Sequence, residues 1–427
     1  MKKKNLIILF VVCILSLCIF SGLLVYAFDL QAKRDLKEKS TQQEAGSNSD
    51  SDNTDNPSDL DVALPTEAAD QSEVVNSTED TSTETDAVEA ENADSQEESS
   101  ATPTPIEEVQ AKPIVLGFAG DINFDENSYP VAKYDSEKNG ILGGLSSDLV
   151  EEMNAADVMI LNNEFAYSTR GTKTPDKSYT FRADPSRVGI LNEMGVDIVS
   201  LANNHALDYG PDALLDTFDA LDGAGVEYIG AGIDMDRAKA PIYFTVGDKT
   251  IAYVAASRVV FSMDWYANDT RLGMIGTYDP TLFLESIKEA TENSDFVVAF
   301  VHWGVERENY PQTYQRTLAT QYIDAGADAV VGCHPHVLQG FEYYKGKPIA
   351  YSLGNFWFSN STRESGFLKL YLDTEDTVRM QILPAMSKGT FTYLLTEEAE
   401  RKTYFDFLEE ISYGATIDED GFVTIAE

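Results

Sequence analysis

Phe296-Val297-Val298-Ala299-Phe300-Val301-His302-Trp303-Gly304 is the stretch that decides the fold, an unbroken apolar run that stops on an imidazole and a glycine turn. A run this short, closed by turn residues, reads as a buried strand. Similar runs stand outward on both sides, at residues 114–119, 157–161, 197–201, 226–229, 251–255, 329–331 and 349–353. Between several of them, residues 145–154, 185–194, 211–224, 280–293 and 312–325 have helix-like apolar spacing, often opened by Asp, Ser or Pro and closed by Gly or Asn. Strands that alternate with helices predict an α/β domain. Residues 366–372 and 378–383 read as a hairpin, so a second sheet packed on the first is expected. From about residue 397 an acidic helix precedes a last short strand, and no repeat of solenoid period is visible.

This pattern begins only at about residue 112 of 427. Residues 41–110 are dominated by Ser, Thr, Asn, Asp, Glu and Ala, with about twenty carboxylates, no Lys or Arg and no aromatic ring. Such a stretch cannot bury enough apolar surface to offset the entropy of ordering it. It reads as a disordered, self-repelling spacer that carries about half of the formal net charge of −41. After Lys2, Lys3 and Lys4, residues 5–28 are uncharged, which at ~1.5 Å per residue is enough to cross a ~30 Å hydrocarbon core. A spanning helix is the natural reading. Its rival is a cleaved signal peptide ending at Val25-Tyr26-Ala27, although the run exceeds the usual apolar core of ~7 to 15 residues. Lys33, Arg34, Lys37 and Lys39 match the basic residues ahead of the span, so charge counting alone leaves the orientation open. A short N-terminal tail and a long spacer favour a single-pass protein of the cell membrane with its folded domain extracellular. The expected organisation is a membrane anchor at 1–30, a disordered acidic linker at 31–111 and one domain at 112–427, with core motifs at 114–359.

With 72 acidic against 31 basic residues and no dense basic patch, nucleic acid is not expected as a partner. Cys13 and Cys18 lie in the apolar run and Cys333 stands alone in the domain, so cysteine usage does not report the compartment.

Five strand ends carry ligand-type side chains: Gly120-Asp121-Ile122-Asn123, Asn162-Asn163-Glu164, Ala202-Asn203-Asn204-His205, His302-Trp303-Gly304 and Gly332-Cys333-His334-Pro335-His336. Ends of successive strands of one sheet converge on one edge, so these groups can meet. Imidazole and carboxylate together suit Zn, Mn or Fe, and two such ions can bind a phosphoryl oxygen and generate hydroxide. In an extended segment alternate residues point the same way, so His334 and His336 are expected to reach adjacent ions across a rigid Pro335. Each piece alone has an ordinary explanation: a turn at Gly-Asp, loop hydrogen bonds at Asn-Asn, a solvated acid at Glu164, a core histidine at His302. Jointly these weaken, because all four histidines of the chain fall at such junctions. Lys173, Lys177, Tyr179, Phe181 and Arg182 form a basic and aromatic loop, read either as a substrate clamp for an anionic polymer or phosphate, with Lys173, Lys177 and Arg182 as its cations, or as a solvated loop.

At these residues the chain resembles the capsule-synthesis CapA family, also called PgsA, which is associated with bacterial poly-γ-glutamate capsules and related to calcineurin-like metallophosphoesterases. The likeness runs over about residues 115–358, with Gly120-Asp121, Asn163-Glu164, Ser200 through His205, His302-Trp303-Gly304, Gly332 through His336 with Gln339, and Ser352 through Phe356 in family order. It implies a metallophosphatase-like four-layer sandwich, two mixed β-sheets flanked by helices, with the site at one edge. It implies two divalent ions: Asp121 and His336 would hold one, Asn204, His302 and His334 the other, and Glu164 would bridge them. His205 is implied as the catalytic group that protonates the leaving group or stabilises an oxyanion. Two departures matter. Asn123 stands where the phosphoesterases usually carry a first-site histidine and offers only a weak neutral ligand, and Glu164 replaces the usual bridging Asp.

Three functions fit this reading. One is a metal-dependent hydrolase or transferase of capsule biosynthesis, acting outside the cell on an anionic envelope polymer. Another is a non-catalytic part of a capsule export or assembly complex, docked by its anchor beside a capsule synthase. A plain phosphodiesterase or nucleotidase is the third, with no recognisable base-stacking cap to support it.

Overall fold

The structure is a computed structural model that describes residues 112–373 and 377–426. The anchor expected at 1–30 and the linker expected at 31–111 lie outside the described residues. Among the described residues, no helix is long and apolar enough to cross a membrane.

Each apolar run of the domain becomes a strand. β1 (Ile114–Ile122), β2 (Val158–Asn163), β3 (Ile198–Ser200) and β4 (Glu227–Ile229) are parallel neighbours in one sheet. A second sheet uses the middle of the chain: β5 (Ile242–Val246), β6 (Lys249–Ser257), β7 (Phe296–His302), β8 (Ala329–Cys333), β9 (Leu338–Tyr344) and β10 (Lys347–Leu353). Its order is β9-β10-β8-β7-β6-β5, parallel at the centre with antiparallel edges. The chain then returns to the first sheet. β11 (Asn355–Trp357) pairs parallel with β1, and β12 (Arg363–Leu372) pairs antiparallel with it. β13 (Val378–Lys388), β14 (Phe391–Leu394), β15 (Ala415–Ile417) and β16 (Phe422–Ile425) extend that side of the sheet.

The hairpin expected at 366–383 is present as β12 and β13, but it widens the first sheet instead of founding the second. The physical reason is the free edge of β1, whose backbone donors and acceptors need partners once buried. Helices α1 (Tyr129–Ser136), α2 (Ser147–Asn154), α3 (Gly189–Glu193), α4 (Pro211–Ala224), α5 (Met235–Lys239), α6 (Thr281–Asn293), α7 (Thr313–Ala325) and α8 (Glu398–Glu410) complete a mixed α/β fold.

A two-residue repeat assigns each side chain of the second sheet to a face. Ile251, Tyr253, Phe296, Val298, Phe300, Val331 and Cys333 join the core shared with Leu116, Phe118 and Ile160 of the first sheet. Their neighbours Ala252, Val254, Val297, Ala299, Val301 and Val330 pack instead with Phe283 and Ile287 of α6 and Tyr322 of α7. His302 has the parity of Phe296, Val298 and Phe300. The run 296–302 thus delivers its imidazole between the sheets.

The sheets approach closely where β1 ends. A Cβ built on Gly120 would lie 1.9 Å from the Gly354 carbonyl oxygen, which accepts from the Asp121 N–H at 3.0 Å. Gly120→Ala is therefore expected to cost on the order of 3 kcal/mol or more, since the obstacle is backbone. Gly223, exposed near the end of α4 with nothing within 4 Å of its Cβ position, gives the opposite expectation: Gly223→Ala should stabilise by about 0.5 to 1 kcal/mol. Denaturant midpoints of the two variants check both signs.

Candidate metal centre

The parallel strands place their C-terminal ends along one edge, and the expected residues meet there. Asp121 closes β1, Glu164 follows β2, Asn204 and His205 follow β3, His302 closes β7, and His334 and His336 follow β8. Asp121, Glu164 and His302 are fully buried. Glu164 Oε1 lies 3.8 Å from His302 Nε2 and 3.9 Å from His205 Nε2. His302 Nε2 and Asn204 Oδ1 are 2.8 Å apart. His336 Nδ1 lies 3.4 Å from Asp121 Oδ2. The His334 ring centre is 4.6 Å from that of His302 and 5.8 Å from that of His336.

Two sets of ligand-type atoms each fall within 4.8 Å of one another: Asp121, His302 and Cys333 in one, Glu164, His334 and His336 in the other. These sets cut across the two-ion division that the resemblance implied. Cys333, given no ligand role by the sequence, points inward because it shares the parity of Val331, and its Sγ lies 3.3 Å from His302 Nδ1. Burial and the charges of Asp121 and Glu164 push its thiol well above the usual range.

The His-Pro-His segment is not extended as expected. His334 has φ 99° and His336 φ 58°, so the segment is a tight turn with two non-glycine residues at positive φ. That conformation is costly for such side chains and is found where surrounding contacts over-determine it. Those contacts are visible: the His334 N–H is 3.3 Å from Asp121 Oδ2, Arg307 N–H donates to the Pro335 carbonyl at 2.8 Å, and His336 Nδ1 meets Asn355 Oδ1 at 2.8 Å.

Asn162 was quoted as a junction residue without a role, and the structure puts it at the middle. Its Nδ2 lies 2.7 Å from Asp121 Oδ1 and 3.3 Å from Glu164 Oε2. Asn203 in turn donates to Asn162 Oδ1 at 3.1 Å and to the Asn163 carbonyl at 2.9 Å. Asn162, held by Asn203, therefore keeps the two acids in place. Asn123 is buried, but its Oδ1 accepts from the Asp125 N–H at 2.8 Å, which occupies it in a local turn.

The charges are unusual for a protein interior. Burial, then the neighbouring Asp121 carboxylate, raises the Glu164 carboxyl well above its ordinary range. Burial and the charge of His336 lower His334 to about 3, and burial drives His302 well below a normal imidazole. Burial works against a charge on His336 as well, but Glu164 and Asp121 outweigh it and lift its pKa to about 9. Among the buried polar atoms here without a hydrogen-bond partner are Glu164 Oε1 and His334 Nδ1.

The expected clamp is different from its sequence reading. Lys177 is partly buried, with its side chain only 8% exposed: its Nζ pairs with Asp208, donates to the Asn204 carbonyl at 2.6 Å and lies 3.0 Å from His205 Nδ1. With its hydrogen bonds used internally it is not available to grip a substrate. Arg182 lies over the Tyr209 ring at 4.1 Å and donates to the Arg170 carbonyl at 3.0 Å, while Lys173 is exposed. What the loop does is fix His205. Asp208 Oδ2 lies 2.6 Å from His205 Nδ1, and Phe181 stacks on the imidazole at 4.4 Å. Asp208 was not read from sequence, though an acid three residues after a histidine in a turn is the signal to look for.

His205 and His336 open onto a cleft of about 550 Å³. Asn123, Phe181, Asn355 and Phe358 line it, as do Arg307 and Arg363, which nothing in the sequence pattern marked out.

A model of the family described as "Bacterial capsule synthesis protein PGA_cap" matches residues 115–360. The PGA biosynthesis protein CapA of Bacillus subtilis (strain 168) is 35% identical over 257 residues, which cover 59% of this chain and 67% of that one. The capsule biosynthesis protein CapA of Bacillus anthracis is 32% identical over 248 residues, 56% of this chain and 60% of that one. The matches thus span about two thirds of these relatives' length, or less. Among solved structures, a novel phosphatase from Mycoplasma pneumoniae overlaps 65% of this chain and 95% of its own at 11% identity, with a TM-score of 0.42.

The Lys177–Asp208 pair generates a stability prediction. Asp208→Ala leaves an ammonium buried without its counter-charge, which should cost on the order of 3 kcal/mol. The double change Lys177→Met with Asp208→Leu should recover only part of that loss, because it removes the unpaired charge but still leaves the Asn204 carbonyl, His205 Nδ1 and the Phe181 N–H without their partners. Denaturant unfolding of the three proteins checks it, and equal losses in the single and double variants would show that the pair is not what matters.

Proposed function

The chain belongs to the bacterial capsule synthesis protein PGA_cap family, and from that premise we propose that it is a metal-dependent, phosphoesterase-like hydrolase or transferase of capsule biosynthesis that acts on an anionic envelope polymer. The family is one of capsule and poly-glutamate biosynthesis. In this reading the domain is a metallophosphatase-like four-layer sandwich. The apolar segment at 5–28 anchors the chain in the cell membrane, the acidic spacer holds the domain outside the cell, and a capsule synthase complex is its neighbour.

The observation that carries the reading is the pair of orphaned buried atoms. Glu164 Oε1 and His334 Nδ1 each lack a partner inside a group of two acids and three imidazoles. An unsatisfied buried polar atom costs about 1 to 3 kcal/mol, and more when the group is charged. A divalent cation would satisfy both atoms and offset the two carboxylates at once. The donor set of Asp121, Glu164, Asn204, His302, His334 and His336 suits Mn, Zn or Fe, and the depressed pKa values of His302 and His334 keep those rings in the neutral form that a ligand requires. When bound, such ions would polarise the scissile group and lower the pKa of a water.

The protein's own part centres on His205. The Asp208 carboxylate, an acceptor 2.6 Å from Nδ1, favours a proton there over a bond from the Lys177 ammonium at 3.0 Å, which leaves Nε2, on the Glu164 side, as the atom that exchanges a proton with the reacting group. Asn162 and Asn203 keep the acids in register, and Phe181 keeps the imidazole plane fixed. A tautomer and ring orientation set in advance in this way suit proton acceptance at Nε2, and burial, which lowers the His205 pKa, keeps the ring neutral; donation to a leaving group follows only after Nε2 has taken up a proton.

Elemental analysis of the full-length purified chain should find at least one transition-metal ion per molecule, reduced in His334→Ala. His205→Ala should keep the metal yet lower turnover by roughly 10²- to 10⁴-fold, with loss of polymer production at normal protein level. Less than one ion per chain, with no activity gained on adding Mn or Zn, would sink the reading. Intact polymer production in His205→Ala would favour the non-catalytic assembly role instead.

A further inference from the structure

Nine of the eleven arginines among the described residues donate to a carboxylate or carbonyl oxygen. The two left over, Arg307 and Arg363, both line the cleft onto which His205 and His336 open. In a chain with 72 acidic residues, two unpaired guanidiniums at one place need a reason. They reach it from different parts of the fold. Arg307 belongs to the loop after β7, held at φ 66° by its N–H bond to Pro335, and Arg363 opens β12.

The acids on the cleft wall do not neutralise them. The Asp125 carboxylate is taken by the N–H groups of Asn127 and Arg182, and Glu306 makes no ion pair with either arginine. The same cleft carries two aromatic faces that belong to the centre: Phe181 stacked on His205, and Phe358 at 4.7 Å from His336. Forked donors beside apolar rings suit a ligand that carries carboxylates on short aliphatic stems. A phosphate-dense chain would call for more cations than two and gain little from the rings.

We propose that Arg307 and Arg363 form a carboxylate-binding subsite that grips an acidic polymer chain while its scissile group lies at His205 and His336. This rests on the hydrolase reading above and assigns the residues that hold its substrate. The acid excess of the protein repels a polyanion elsewhere, so the pair fixes where along the surface such a chain can settle.

The test uses the full-length protein, with fluorescent poly-γ-glutamate and inorganic polyphosphate as probes. Arg307→Ala and Arg363→Ala should each weaken poly-γ-glutamate binding about tenfold and the double variant about a hundredfold, since each removes a charge-assisted fork. Lysine at either position should recover only part of the loss. Thermal midpoint and metal content should be unchanged, because neither side chain makes an internal bond. Unchanged affinity in the double variant, no poly-γ-glutamate binding by the unsubstituted protein, or a loss confined to polyphosphate overturns the subsite. A protein without metal whose double variant still loses poly-γ-glutamate sinks the hydrolase reading and leaves the subsite standing. Full metal content with undiminished polymer affinity in the double variant does the reverse.

Discussion

Two carboxylates, Asp121 and Glu164, are buried side by side with no surface exposed. Taking even one such charge out of water costs several kcal/mol after relaxation, so the surroundings have to be built around them. Asn162 supplies a donor shared between the two acids, Asn203 holds Asn162, and three histidines crowd the remaining side. The shifted pKa values follow from the same constraint. Glu164 is raised by burial and by Asp121, His336 is raised by both acids, and His302 and His334 are lowered because burial dominates where a neighbouring ring is already charged.

The scaffold delivers these groups by arithmetic of sheet geometry. Parallel strands send their C-terminal ends to one edge, and the parity of β7 and β8 sends His302 and Cys333 between the sheets. Side chains projected from strand ends are held more firmly than those on free loops. The contact of Gly120 with the Gly354 carbonyl then sets how near β1 comes to the start of β11, where Asp121 and Asn355 stand opposite each other in register. Both of the latter touch His336 Nδ1, so the close approach of two backbones becomes the position of one imidazole.

Much of this was legible beforehand because it is local. The run 296–302 and the helix 211–224 begin and end where their apolar spacing says, since burial, a proline at the first turn and a glycine at the end act within a few residues. The convergence of the histidines was legible too, once strand ends were aligned. The failures are long-range. The hairpin at 366–383 has the right shape, but nothing local tells it that β1 has a free edge. The His334-Pro335-His336 turn looks extended until Asp121, Arg307 and Asn355 pin it. Lys177 looks like a surface cation, and only the fold reveals Asp208, 31 residues on, as its partner.

The substitution at residue 123 takes on a different meaning in this setting. Its amide serves a turn, so the side of the centre formed by Asp121 and His336 has one fewer free donor, with Asn355 beside the ring. His336, at a pKa of about 9, holds a proton at neutral pH, whereas His302 and His334 are already neutral. In the metal-centre reading the two sides are therefore unequally prepared. A cation beside His302 and His334 meets ligands in their binding form, while one beside His336 has to displace a proton first. The second event draws on whatever stabilises the ion there, and that side is also the one open to the cleft. Occupancy of the exposed side and arrival of an anionic substrate would then act on the same imidazole, which couples the first to the second through charge alone.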